Sequence, residues 1–269
     1  MVMKRNAMRK NLLQSILKSF GRYIAIVLII ALGASMFVGL LMTKADMVAT
    51  GQRFMDEQNM FDLRLISTYG WGSEQLAAIE ELDFVAEAEG VIYVDAVASS
   101  ADEEDDSVYR FYSMPEKLTR ISIRGGRMPE SADECVIVGY QMTDEILGTQ
   151  IRISADNDSN TLDTLRYRTY TIVGYAATPL YMDMNRGTTS VGSGSLANCL
   201  FVPIEGMDTD VYSEINITIP GDYYIFSDEY NDAMEAAADA LEPQLQPLAD
   251  QRLEEVRREA MDAYLDGLK

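Results

Sequence analysis

Twenty consecutive residues without a charge constrain this chain more than any other feature of its sequence. The stretch YIAIVLIIALGASMFVGLLM occupies residues 23–42 and has no polar face. As a helix it would be about 30 Å long, roughly the hydrocarbon thickness of a bilayer, whereas a core helix of a soluble domain keeps a polar face. We therefore predict a transmembrane helix over residues 23–42.

A cleaved secretion signal is the alternative to a span, because it also has a basic start followed by an apolar segment. That apolar segment is usually about 7–15 residues long and is followed by a small-x-small cleavage site. Here the apolar run is longer, and Leu40-Leu41-Met42-Thr43-Lys44 offers no such site. An uncleaved span is the favoured interpretation.

The segment before the span has basic but no acidic side chains, and the positive flank of a span stays on the cytoplasmic side. We therefore predict a cell-membrane protein with a cytoplasmic N-terminus and extracytoplasmic residues 43–269. Apolar residues recur at helical spacing between residues 8 and 20, which predicts an amphipathic helix at 1–22 on the inner membrane surface. A basic segment without regular structure is the alternative. The basic residues are Lys4, Arg5, Arg9, Lys10, Lys18 and Arg22.

The charge of the remaining chain is strongly negative. The whole sequence has 22 basic and 43 acidic residues, and six of the basic residues precede the span, so residues 43–269 carry a net charge of −27. Such a surface repels nucleic acid and anionic headgroups. We predict no nucleic-acid partner, and a lipid bilayer as the partner of the span.

The chain lacks the residues of common catalytic and metal sites. Its histidine count is zero, which excludes Ser-His-Asp, Cys-His and His-metal designs. It has no phosphate-binding Walker A motif. Asp156-Asn157-Asp158 begins like a calcium loop, but Thr161 replaces the required glycine and Tyr167 the required glutamate. We predict no catalytic, cofactor or metal site.

The two cysteines leave two alternatives open. Cys135 and Cys199 are 64 residues apart in sequence. They could form one disulfide in an exterior compartment, or they could be isolated thiols that pack as small hydrophobic side chains.

The predicted fold class is α+β, with one N-terminal transmembrane helix, a β-rich mixed exterior domain at 43–227 and a long helical arm at 228–269. We predict short helices at 74–82, capped by Ser73, and at 139–147. Pro243 and Pro247 split the arm or kink it. The predicted strands are 61–66, 91–98, 108–114, 119–124, 134–138, 150–154, 168–175, 199–203 and 213–219.

Two apolar patterns indicate helix partners. Leu253, Val256, Ala260 and Tyr264 form one stripe on the arm, so we expect the arm to be a truncated coiled-coil element, the first half of a helical hairpin, and only marginally stable alone. In the span, small residues recur every four positions and would let another helix pack closely. They are Ala31, Ser35 and Gly39. The alternative is that glycine and alanine are simply common in spans.

Several segments together resemble the FtsX/MacB-like permeases of ABC transporters. They are SFGRYIAIVLIIALGASMFVGL, FDLRLIST, GRMPESADECVIVG and YTIVGYAATPLYM. The most specific parts are Gly126-Arg127-Met128-Pro129 followed by Glu134, and residues 174–181. The resemblance implies a first span, a MacB-type core domain outside the membrane, further spans, and a separate ABC ATPase subunit inside the cell.

The chain departs from that family in having one span where a working permease has at least four. We therefore expect either a fragment or a chain whose further permease helices, or a second permease copy, come from elsewhere. The expected role is a non-catalytic subunit that couples ATP hydrolysis by its partner to movement of the exterior domain, for export or extraction of a substrate. The alternative is a single-pass membrane-anchored exterior binding or sensor domain, and an anchored enzyme is a third possibility.

Overall fold

The computed structural model describes residues 10, 14, 19–100, 106–139, 142–183 and 185–267. Lys4, Arg5, Arg9 and Lys18 lie outside the described residues, as does most of the predicted amphipathic helix. The described chain divides into two compact units that meet in sequence between Arg53 and Phe54.

The described helices and strands confirm an α+β fold with an apolar N-terminal helix, a β-rich body and a long C-terminal helix. The helices are α1 (Phe20–Glu57), α2 (Ser73–Glu80), α3 (Ser159–Thr164) and α4 (Asp228–Asp266). The strands are β1 (Leu63–Trp71), β2 (Glu87–Val91), β3 (Tyr93–Ser100), β4 (Ser107–Ser113), β5 (Ser122–Gly126), β6 (Glu134–Val138), β7 (Gln150–Ile153), β8 (Thr169–Ala177), β9 (Asn198–Val202) and β10 (Tyr212–Thr218).

Helix α1 is long and apolar enough to cross a membrane, with a mean hydropathy of 2.8 over its most apolar window. It runs past Met42 to Glu57 because residues 43–57 contain no proline. It ends where Asn59 adopts a left-handed backbone with φ of 50°, a conformation that asparagine tolerates better than most residues. The N–H of Met60 then bonds back to the carbonyl of Met55 at 3.0 Å.

Six of the described strands close into a mixed barrel in the second unit. The ring order is β8-β6-β9-β4-β3-β7, and β7 pairs again with β8; β5 adds to the free end of β8. Large buried side chains fill the interior, among them Phe111, Tyr170 and Leu200. Closure removes the exposed edges that an open sheet would present.

A second, three-stranded sheet has the order β1-β10-β2 and is antiparallel throughout. One of its faces packs against α2 and α4 through an apolar cluster that includes Leu65, Ile79, Ile215 and Leu241. We call this sheet with its two helices the helical lobe. Ile92 alone separates β2 of the lobe from β3 of the barrel, so the two are joined closely.

Several sequence-based element predictions differ from the structure. Gly72, rather than Ser73, is the N-cap of α2. The strand predicted at 91–98 is two strands, because the chain leaves one sheet and enters the other at Ile92. The helix predicted at 139–147 is reduced to a 3-10 turn at Asp144–Ile146 within the described residues. Residues 155–164, a polar segment whose sequence predicts a loop, instead hold the short helix α3, capped by Asp158, whose side chain accepts the Thr161 N–H.

Candidate functional site

The first candidate surface is the small-residue face of α1. Ala31, Ser35 and Gly39 are all exposed, and a side-chain carbon added at Gly39 would meet nothing within 4 Å. The Ser35 hydroxyl donates to the Leu32 carbonyl at 3.0 Å, so it has an internal partner even in an apolar surrounding. The arrangement leaves this face open to a neighbouring helix. Of the basic residues, Lys10 and Arg22 are described, and both are exposed.

The second candidate site is the connection that follows α1, which we call the junction and define as residues 58–62 with residues 116–120. Backbone bonds join its two segments: the Thr119 N–H donates to the Asn59 carbonyl at 2.7 Å and the Arg120 N–H to the Gln58 carbonyl at 2.8 Å. Thr119 has a left-handed φ of 54° and is buried. A β-branched residue rarely adopts that conformation, so tertiary bonds must hold it there.

Strand β2 completes the junction with two carboxylates. Glu89 accepts the backbone N–H groups of Glu116 at 2.7 Å and Leu118 at 2.6 Å, and more weakly that of Lys117 at 3.3 Å. Asn59 donates to Glu87 at 2.7 Å and to the Lys117 carbonyl at 3.0 Å. The segment that follows α1, the helical lobe and the loop that leaves barrel strand β4 therefore share one hydrogen-bond network.

The sequence motif at residues 126–129 is a tight structural turn. Gly126 has φ of +72°, and a side-chain carbon there would lie 2.3 Å from the Val173 carbonyl oxygen, so only glycine fits. Arg127 forms a two-pronged ion pair with Glu134, with N–O distances of 2.6 and 2.7 Å. The bonds from Arg127 and from the Glu130 N–H lower the Glu134 pKa to about 2. The motif fastens β5 and β6 to β8.

Helix α4 docks along one face on the three-stranded sheet of the helical lobe, and the sequence pattern did not predict this face. Ala237 and Leu241 are buried, and Leu245 and Leu248 pack against the same cluster. The residues recur at helical spacing, but alanines lie between Ala237 and Leu241, and two prolines interrupt the pattern between Leu241 and Leu248. Part of the predicted arm at 228–269 is therefore packed against the three-stranded sheet, and its predicted role as half of a helical hairpin stays a prediction.

Polar contacts extend this docking to the middle of α4. Buried Gln75 of α2 donates to Glu255 at 3.1 Å, and Arg252 forms an ion pair with Glu255 at 3.1 Å. Arg252 is itself only 7% exposed. Of the predicted stripe, Leu253 and Val256 are half-buried, whereas Ala260 and Tyr264 are exposed.

The face of β10 turned away from the helices is polar yet buried. Glu214 and Asn216 are 2% and 3% exposed, and Asn216 donates to Glu214 at 3.4 Å. Burial raises the Glu214 pKa, and Arg64 at 3.6 Å opposes that rise only in part. The charged form of Glu214 therefore lowers the stability of the helical lobe, whereas the charged form of Glu134, paired with Arg127, stabilises the turn of the barrel.

The two cysteines are free and lie in separate clusters. Cys135 packs inside the barrel, whereas Cys199 packs in a cluster with Tyr112 and Phe201. Burial raises the pKa of both thiols, that of Cys199 to about 11. The structure therefore selects the alternative of isolated, unreactive thiols.

Three of the solved structures that this chain is similar to are domains of transport proteins. The extracellular domain of the noncanonic ABC-type transporter YknZ from Gram-positive bacteria is 11% identical, with a TM-score of 0.36 over 65% of this chain and 86% of that chain. The periplasmic region of MacB from Actinobacillus actinomycetemcomitans is 10% identical, with a TM-score of 0.38 over 67% and 75%. A domain of a protein assigned as a permease from Porphyromonas gingivalis is 15% identical, with a TM-score of 0.35 over 65% and 77%.

No protein-family profile and no curated protein matches the chain. The likenesses to solved structures are low in both identity and TM-score, and the function of this chain has to be inferred from its own residues and geometry.

Sequence reasoning missed the junction. Asn59, Glu87 and Glu89 come from one part of the chain and residues 116–120 from another, and neither stretch is unusual in composition. Asn59 and Thr119 are marked by their positive φ, but a backbone angle is seen in the structure and not in the sequence. No pattern in the sequence therefore predicts the junction.

Proposed function

We propose that this chain is the N-terminal part of an FtsX/MacB-like ABC transporter permease. In this proposal α1 anchors the protein in the cell membrane, with residues 1–22 inside and residues 43–269 outside. A partner ABC ATPase hydrolyses ATP in the cytoplasm, and further permease helices pack against Ala31, Ser35 and Gly39. Movement of the exterior part then drives export or extraction of a substrate.

The observation that carries this proposal is the junction. A simple anchor needs only a flexible linker between its span and its domain, because tethering makes no demand on orientation. Here the residues that follow α1 are bonded to both the helical lobe and a barrel loop, through Asn59, Glu89 and Thr119. Such a bonded connection suits a part on which the segment after α1 exerts force, more than one that is only tethered.

We propose a mechanical role for this chain in place of a chemical one. No group of three or more His, Cys, Asp or Glu side chains that could hold a metal occurs among them. The sequence also lacks histidine and a Walker A motif, so ATP turnover is assigned to the partner chain. We propose a non-catalytic subunit.

Topology is the first test. In otherwise unchanged chains, Ser100→Cys should react with an impermeant thiol reagent on intact cells, and Asn6→Cys should react only after lysis. The native cysteines are buried, so unsubstituted chain gives the background. Labelling of Asn6→Cys but not Ser100→Cys on intact cells would contradict the proposed orientation.

Coupling to an ATPase is the second test. The chain should co-purify in detergent with an ABC ATPase encoded beside it, and ATP hydrolysis should require the ATPase. ATP turnover by the purified chain alone would contradict the non-catalytic role. A neighbouring cytoplasmic kinase that co-purifies instead would favour the sensor alternative.

A further inference from the structure

The three-stranded sheet of the helical lobe turns its polar face toward the barrel. Glu214 and Val91 are paired across β10 and β2, so their side chains lie on the same face. Val91 is buried in a cluster with Tyr112 of the barrel. The Tyr93 N–H at the start of β3 also donates to the Ser213 hydroxyl of β10 at 2.9 Å. Buried Glu214 therefore lies where the lobe meets the barrel.

The negative charge of Glu214 is poorly compensated. Arg64 of β1 is 3.6 Å away, and its side chain is 46% exposed. Arg110 of the barrel also attracts this carboxylate, but it forms a two-pronged ion pair with Asp95, with an Nη2–Oδ2 distance of 2.7 Å. From β2, Glu89 contributes a second carboxylate to the same face, and α2 and α4 cover the opposite face. Burial outweighs the two arginines and raises the Glu214 pKa.

The groups around Glu214 also lack one hydrogen-bond donor. Asn216 is 3% exposed, and its Nδ2 donates to a Glu214 oxygen at 3.4 Å, which is a long bond. Its amide oxygen Oδ1 is buried and finds no donor among the described residues. A buried acceptor without a donor destabilises a fold. One added proton would supply the missing donor, because a protonated carboxyl group has an O–H.

We propose that Glu214 and Asn216 form a proton-binding site that holds the helical lobe on the barrel. The proton comes from the exterior solution, and the Glu214 O–H then donates to Oδ1 of Asn216, whose amide can turn to present its oxygen. In the charged site that oxygen has no donor, and separation of the lobe from the barrel lets water reach both groups. The site needs no ATPase and no further helix, so it is independent of the proposed function.

Acid should favour the closed arrangement of lobe and barrel. The closed site binds its proton more tightly than an ordinary carboxyl group, whose pKa is 4.5. The stabilisation by the proton is therefore fully present below pH 4.5, and it is lost as pH rises through the raised pKa of the closed site. The lobe should open more often as the exterior becomes less acidic.

Hydrogen exchange of the Tyr93 amide tests the proposal, because its bond to Ser213 breaks when the lobe leaves the barrel. Full-length chain in lipid nanodiscs is measured from about pH 5 to about pH 8, and each rate is divided by that of an unstructured peptide at the same pH. The corrected rate should rise at least about threefold over this range, while the amides of β8 change little.

Glu214→Gln is the decisive variant. Its amide keeps the shape of the protonated carboxyl group and can donate to Asn216 at every pH. The corrected Tyr93 rate should then be slow throughout and independent of pH. Arg64→Gln removes a cation that favours the charged form, so the rise in rate should move to higher pH. Glu205→Gln, at an exposed position after β9, is the matched control and should leave the pH dependence unchanged.

The proposal is overturned if the corrected rate of the unsubstituted chain does not rise with pH, which would mean that an ordered water serves Asn216. It is equally overturned if the rise persists in Glu214→Gln, because another group would then bind the proton. Neither measurement uses ATP or a partner ATPase, so failure here is distinct from failure of the proposed function.

Discussion

The barrel and the helical lobe bury their apolar residues in different ways. The barrel closes on itself, and Phe111, Tyr170 and Leu200 help to fill its interior. The three-stranded sheet is too small to do this and depends on α2 and α4 to cover Leu65 and Ile215. The lobe is bonded to the junction through Glu87 and Glu89 of β2, and it contains buried Glu214. We propose that the barrel is the more stable part and that the lobe is the part able to move.

The largest expected effect comes from the barrel interior. Phe111 is fully buried, so Phe111→Ala should lower the free energy of unfolding by about 3–5 kcal/mol through lost contacts and a cavity. Denaturant unfolding followed by circular dichroism measures this loss. Ile204→Ala, at a 42% exposed position, is the control and should change little. A small loss for Phe111→Ala would mean that the barrel is not the scaffold.

The second largest effect is expected at the contact between α4 and the three-stranded sheet of the lobe. Leu241 is 2% exposed, and Leu241→Ala should cost about 2–3 kcal/mol, the lower part of the range for a buried leucine. Trp71 is the chain's one tryptophan and packs in the same cluster, so its fluorescence should report a transition that precedes the loss of barrel structure.

Leu265→Ala is the matched control on the same helix. Leu265 is 49% exposed, and its substitution should change stability by less than about 0.5 kcal/mol. If Leu241→Ala and Leu265→Ala changed the free energy of unfolding equally, α4 would not be docked on the three-stranded sheet.

A smaller effect is expected at the junction. Glu89→Ala removes the acceptor of the N–H groups of Glu116 and Leu118, which should cost about 1–2 kcal/mol. Amides of residues 116–120 should exchange faster while those of β8 stay unchanged. Glu116→Ala removes a charge from the same loop but keeps the backbone donor, so it should leave exchange unaltered. Equal acceleration in both variants would mean that charge, not the network, orders the loop.

The smallest effects separate the two regions by their response to pH. Glu134 has a folded pKa of about 2, below its ordinary 4.5, so it stabilises the barrel above pH 4.5 and that contribution is lost as pH falls toward 2. Glu214 has a raised pKa, so its charged form costs stability, and the cost disappears as pH falls below the ordinary carboxyl value.

Two isosteric variants test these opposite signs. Near pH 7, Glu134→Gln should destabilise the chain and Glu214→Gln should stabilise it. Both differences should shrink in acid, that of Glu214→Gln by about pH 4 and that of Glu134→Gln only near pH 2. Melting temperatures across this range measure both, and the same sign for both variants near pH 7 would refute the contrast.

Local patterns predicted much of this fold. The uncharged stretch gave α1, and short alternating runs gave most strands, including β6 at the residues where it was expected. The predictions failed where tertiary pairing decides the outcome. Ile92 divides one apparent strand into two because each half pairs in a different sheet, and barrel closure through β7 and β8 has no local signature.

The candidate surfaces were predicted less completely. The stripe on α4 was visible because Leu253, Val256 and Tyr264 stand out among charged residues. The docking face was not visible, since Ala237 and Leu241 lie among many alanines. The junction depends on bonds between the segments at residues 58–62 and 116–120, and sequence patterns carry no information on that pairing.

Native-state hydrogen exchange tests most directly whether the lobe is the less stable region. We predict that amides of β8, at Thr169–Ala177, exchange last, because both edges of that strand are paired within the barrel. Amides of β1, at Leu63–Trp71, should exchange well before them and together with the docked part of α4. If β1 were protected as strongly as β8, the helical lobe and the barrel would open as one unit, and the division into scaffold and moving part would be wrong.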